Sequence, residues 1–151
     1  MPVTDDEVAV LRAQLAGDQA RHQELYRRLD RSAATRATYT VLITAAFIEA
    51  VERRFAGKGT PADVISYVAD VRSRSDDAAE ALDARAAERL IRGVLTDENT
   101  ADIDGKTRGA VSIIMLSALV SDEQLDDAGL DAFLAVAREK ANDYFMRRAG
   151  S

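Results

Sequence analysis

The chain is 151 residues long, enough for one ordinary core, and its 47% apolar and 30% charged residues predict a folded rather than disordered protein. It has no cysteine, which excludes disulfides, thiolate zinc sites and thiol nucleophiles, and its single histidine excludes histidine clusters. A formal net charge of −6 argues against nucleic-acid binding by the whole surface, because phosphate contacts need a basic face.

In chain order, the first element opens at Thr4-Asp5-Asp6-Glu7, a capping box with Glu7 three residues after the N-cap. The opening MPVTDDEVAV is acidic and lacks a basic stretch leading into an apolar run, so no signal-peptide pattern is expected. Val8, Leu11, Leu15, Asp18, His22, Leu25 and Leu29 then follow alternating three- and four-residue spacings, the pattern of one helical seam. A continuous helix over residues 4–32 would run roughly 43 Å at 1.5 Å per residue. A chain of this length has an expected radius of gyration of roughly 15 Å, so such a helix wraps the domain or projects from it. Gly17 is the one residue placed to break it.

Residues 1–36 hold six basic and six acidic side chains, so the rest of the chain carries the whole deficit. Within them Arg21, Arg27, Arg28, Arg31 and Arg36 face only Glu24 and Asp30, a basic stripe on an acidic protein. Its bland reading is a solvated helix face, with Glu24 set four residues before Arg28. Its sharper reading is an acidic partner or a second subunit. On that reading the seam residues, with Arg21 and Arg28, form a homodimer interface in which Asp18 of one chain meets His22 of the other.

A second helix is carried by Val41, Leu42, Ala45, Ile48, Val51 and Phe55, and Gly57 and Gly59 supply its end signal. A third opens at Thr60 with Pro61 at its first position and Asp63 in its first turn. SRSDDAAE reads as a loop, and a fourth helix is capped near Asp83. The run AVSIIMLSALV, apolar on all sides, predicts a buried central helix near 108–120, and at 11 residues it is far short of a membrane span. A last helix starts near Asp127 or Gly129. LIRGVLTDENTADI and MLSALVSDEQLDDA also align at an offset of 25, a faint sign of duplication.

TADIDGKTRG contains fragments of two ligand-binding loops. A phosphate loop needs a glycine five residues before the Gly-Lys pair, and that position is Thr100. A calcium loop needs a carboxylate first and a bidentate glutamate twelfth, and those positions are Thr100 and Val111. The stretch is expected to be an exposed turn from Asp102 to Thr107, without metal or nucleotide.

Carboxylates are the remaining catalytic material. Glu49-Ala-Val-Glu52 and Glu80-Ala-Leu-Asp83 each set two acids three residues apart. This order resembles the paired acidic motifs of the all-α nucleotide pyrophosphohydrolases of the MazG type. At these four positions alone, the resemblance implies a magnesium site for a triphosphate built from Glu49, Glu52, Glu80 and Asp83.

The sequence therefore predicts an all-α single-domain bundle of about six helices with a long N-terminal helix. Residues 1–32 form that helix and a candidate oligomerisation arm, and residues 35–149 the helical core. The expected function is a non-catalytic, cytoplasmic protein–protein interaction or regulatory module that self-associates, with no cofactor, nucleic-acid, membrane or small-molecule partner. The alternatives are the pyrophosphohydrolase and, since the helices after Gly59 are net acidic, more weakly a transcriptional regulator.

Overall fold

Eight helices and no strand are found among the residues described, 2–56 and 59–149, in a computed structural model of the chain. They are α1 (Asp5–Leu15), α2 (Gln19–Arg28), α3 (Ala33–Phe55), α4 (Pro61–Arg72), α5 (Asp76–Ala81), α6 (Ala84–Thr96), α7 (Gly105–Glu123) and α8 (Asp127–Ala149). The all-α expectation holds, and the count of about six is corrected to eight. Contacts group the chain into two compact units, one of Met1–Glu49 with Val120–Ser151 and one of Ala50–Leu119.

The long N-terminal helix is the main correction. The Thr4–Glu7 capping box forms as the sequence predicts, but α1 stops at Leu15. Gly17 takes a left-handed φ of +79°, a conformation that a side-chain-bearing residue adopts only at a cost. Asp18 then accepts a hydrogen bond from the Arg21 N–H and N-caps a new helix. One glycine and one cap override a seam whose apolar spacing continues across them.

In the first unit α1 packs on both α2 and α8. Val10 and Leu11 on α1, Leu42 and Ala46 on α3, and Phe133, Leu134 and Ala137 on α8 are buried. Polar ties join the chain's two ends. The Asn142 side-chain oxygen accepts from the Val3 N–H at 2.8 Å, and Arg138 reaches the Val3 carbonyl at 2.8 Å and Asp5 at 2.6 Å. Arg12 reaches Asp131 at 2.6 Å, and Lys140 pairs with Glu49 at 3.2 Å.

In the second unit α4 packs on α5 and α6. Thr60, Pro61 and Asp63 start α4 as predicted, with a complete capping box, and Val64, Tyr67, Val68 and Val71 are buried. Gly57 lies outside the described residues, and α3 ends at Phe55. Gly59 meets a steric need, since a Cβ there would come within 2.8 Å of Leu95 and 3.1 Å of Phe55. The stretch read as a loop before Asp83 contains α5, a short helix N-capped by Ser75. Asp83 caps α6 as expected.

The apolar helix α7 starts at Gly105, earlier than expected, and is more one-sided than its composition predicts. Val111, Ser112, Met115, Leu116, Leu119 and Val120 are buried, whereas Ile113, Ile114, Ser117 and Ala118 are half-buried. The suspected duplication is not kept at the helix ends. An offset of 25 from Thr96 gives Ser121, but α7 continues to Glu123.

Candidate functional site

The N-terminal hairpin gathers most of the polar chemistry of the first unit. Glu7, read from sequence as a simple cap, is only 2% exposed. Its carboxylate accepts from the Thr4 N–H and the Thr4 hydroxyl, both at 3.0 Å, and from the Thr38 hydroxyl of α3 at 2.5 Å. A buried carboxylate needs such donors, because an unpaired charge in a low-dielectric interior is strongly unfavourable. Glu7 thereby becomes a staple between α1 and α3. The sequence signal for its partner was weak: Thr38 is one of five threonines or serines between Ser32 and Thr44.

Beside the staple lies Tyr39, whose hydroxyl is buried and has no hydrogen-bond partner. Burial first, then the nearby Tyr26 and Glu7, hold its pKa well above the usual phenol value, so it stays a neutral phenol. The Tyr26 ring meets the Tyr39 ring edge-on at 6.3 Å and lies 6.0 Å from the His22 ring. His22 Nδ1 is 2.9 Å from the Val10 carbonyl oxygen, which can only accept, so this nitrogen carries the proton and donates. An aromatic file, His22–Tyr26–Tyr39, thus runs from α2 to α3, and His22 ties its near end to α1 through the Val10 carbonyl.

The nine residues predicted as an interface separate into two groups. Leu11 is buried, and Val8, Leu15, His22, Leu25 and Leu29 are half-buried on the hairpin's own contacts. Asp18, Arg21 and Arg28 are exposed. The predicted meeting of Asp18 with His22 of another chain involves two side chains that each already have a contact within one chain. Asp18 is engaged in capping α2 and His22 in bonding Val10, because the break at Gly17 folds the seam back on itself.

Helix α2 contains no buried residue. Tyr26 is 49% exposed, and the arginines of the stripe all reach solvent. Arg28 pairs with Glu24 at 2.8 Å, as its spacing predicts, and Arg27 donates to the Gln23 carbonyl at 3.3 Å. Arg21, Arg31 and Arg36 have no side-chain partner among the described residues. Where α2 ends, Leu29 turns to extended backbone, Asp30 accepts from the Ser32 N–H at 3.0 Å, and the Ser32 hydroxyl accepts from the Thr35 N–H at 3.2 Å. This corner frames a cleft of about 220 Å³ lined by Tyr26, Leu29, Asp30, Arg31, Thr35, Arg36 and Tyr39.

Of the four carboxylates of the pyrophosphohydrolase resemblance, Glu49 and Asp83 have other roles and Glu52 and Glu80 are exposed. Glu49 pairs with Lys140 in the first unit. In the second unit Glu52 and Glu80 are exposed on α3 and α5, and Asp83 accepts the Ala86 N–H at 3.0 Å as a helix cap. Among the described residues no three histidine, aspartate or glutamate side chains are grouped to hold a metal ion. A cap aspartate turns one of its oxygens onto its own helix.

Of the expected turn from Asp102 to Thr107 only Asp102–Asp104 lies outside a helix, because Gly105–Thr107 form the first turn of α7, and two carboxylates hold the corner. Asp102 receives both guanidinium nitrogens of Arg89, at 2.7 and 2.8 Å. That hydrogen bonding lowers its pKa to about 2. Asp104 accepts the Thr107 N–H at 2.6 Å and starts α7, which lowers its pKa too. Arg108 donates to the Thr100 carbonyl. Thr100, Asp102 and Asp104 are thus committed to holding the corner.

No family model, curated protein or solved structure matches the chain.

Proposed function

We propose that this chain is a non-catalytic interaction module that self-associates, with α2 as its docking surface and a second copy as the partner. The observation that carries this reading is a complete, N-capped ten-residue helix that buries none of its own residues. A helix this short is marginal alone in water, and its neighbours supply only one side of its support. Its outward face combines the half-exposed Tyr26 with the exposed Arg21, Arg27 and Arg28, residue types favoured at interface centres.

Charge complementarity favours a second copy as the occupant. The turn from Asp122 to Asp131 holds Asp122, Glu123, Asp126, Asp127 and Asp131 with no basic residue among them. Asp127 is 98% exposed at its side chain. Five arginines from Arg21 to Arg36 on one copy match that turn on another, and a two-fold axis satisfies both contacts at once. Size sets the strength. A ten-residue helix spans roughly 15 Å, and with its corner covers less than the ~800 Å² per partner of a standard interface. The expected dimer is transient, with a dissociation constant on the order of micromolar or weaker.

Light scattering tests this across a concentration series. The expected mass rises from 16.4 kDa toward twice that value, and falls back in high salt. Reversing Arg27 and Arg28 to Glu should abolish the rise, and adding Asp126→Lys and Asp127→Lys should restore it. A mass of one chain at several hundred micromolar in low salt would overturn the proposal.

A further inference from the structure

The cleft at the α2–α3 corner has the chemistry of a ligand site, and we infer that it binds a monocyclic aromatic carboxylate. Its volume is the first constraint. At about 220 Å³ it is below the range of drug-sized pockets, yet above the ~150 Å³ cavity that accommodates a benzene ring. One ring with one small substituent fits; a nucleotide does not.

The walls select the ring. Tyr26 and Tyr39 meet at 61° with centroids 6.3 Å apart, and Leu29 adds an aliphatic surface. Aromatic rings prefer edge-to-face or offset neighbours, and two tyrosines at an angle offer a third ring one face and one edge.

The rim selects the carboxylate. Arg31 and Arg36 both line the cleft and neither has a side-chain partner among the described residues. Thr35 accepts a hydrogen bond from the Ser32 hydroxyl at 3.2 Å, which leaves its own hydroxyl proton to donate. The one acid in the lining, Asp30, has an oxygen occupied by the Ser32 N–H. Two guanidinium forks and a hydroxyl around an apolar slot are a donor set for a planar, two-oxygen anion.

Benzoate is the probe, with acetate and benzyl alcohol as controls for charge alone and ring alone. The protein is kept at a concentration where light scattering gives a single chain's mass, so the result is independent of self-association. Tyrosine ring resonances report directly, because the chain has four tyrosines and no tryptophan. Benzoate should shift the Tyr26 and Tyr39 signals saturably, with a dissociation constant of about a millimolar or tighter, and at least tenfold more tightly than either control. Arg31→Gln with Arg36→Gln, both at exposed positions, should weaken benzoate at least tenfold while the helical spectrum is unchanged. Benzoate binding no tighter than the controls, or full affinity in the double variant, would overturn the assignment.

Discussion

Helices α2 and α4 are close in length, at 10 and 12 residues, and each is N-capped by a side chain that accepts from the third residue of the helix. They differ in what they bury of themselves: in α4 Val64, Tyr67, Val68 and Val71 are buried, and in α2 no residue is. Local signals therefore start both helices, but only one is held by a core. The lesson is that capping defines where a helix begins, while burial decides whether the rest of the fold depends on it.

The largest expected effect separates the two through one tyrosine on each. Tyr67 is 4% exposed, meets Phe55 edge-on at 5.9 Å and lies under Arg54 at 5.0 Å. Tyr67→Ala should cost about 3–5 kcal/mol, the range for buried aromatic truncation, and lower the melting temperature by roughly 10 °C for a chain of this size. Tyr26→Ala removes two ring contacts but little buried surface, so about 1 kcal/mol is expected. Its loss should instead appear in self-association and in benzoate binding. Circular-dichroism melts of the two variants, run beside light scattering, measure both. Equal losses of stability would mean that α2 belongs to the core after all.

The contrast between these helices was only half legible in the sequence. Thr60-Pro61-Ala62-Asp63 gave α4 its start without ambiguity, and its apolar positions agreed with a buried face. The N-terminal seam misled because Leu11, Leu15, Leu25 and Leu29 keep helical spacing across Gly17, and periodicity contains no information on a reversal of direction. The break rests on one backbone conformation, visible only as a glycine followed by a good cap. Helix α5 was missed for the opposite reason: DDAAEA has no apolar period, and Ser75 was the sole cue. The cleft was illegible, because Tyr26, Leu29, Arg36 and Tyr39 come together only once α2 turns into α3.

The second prediction addresses that turn through paired glycine substitutions. At Gly17 an added Cβ meets nothing within 4 Å, so the whole cost of Gly17→Ala is the left-handed φ of +79°. About 1–2 kcal/mol is expected, with Gly17→Asn costing less because its short polar side chain tolerates that region. Gly109 lies inside α7, exposed and also with nothing within 4 Å, but at an ordinary helical φ. Gly109→Ala should stabilise by about 0.5–1 kcal/mol, through helix propensity and a less disordered unfolded chain. Urea titrations of the two variants give opposite signs if α1 and α2 are a true hairpin. A stabilising Gly17→Ala would instead indicate that residues 5–28 prefer one continuous helix.

The smallest effect is the most discriminating, because it removes the same interaction from each helix. Asp18→Ala takes the acceptor from the Arg21 N–H, and Thr60→Ala takes it from the Asp63 N–H. Each N-cap is worth about 1 kcal/mol, but the two losses should surface differently. Fraying α4 exposes Val64 and Val68, so its cost is shared by the whole unit and appears as a lower global stability. Fraying α2 exposes no buried residue of its own, so its cost should remain largely local. Amide exchange across residues 19–28 should accelerate about fivefold in Asp18→Ala, the factor that 1 kcal/mol represents, with the melting temperature nearly unchanged. Self-association should weaken by a similar factor, since the docking helix must first re-form. Were Asp18→Ala to lower the melting temperature as much as Thr60→Ala, α2 would be a structural helix, and the argument for its free face would fail with it.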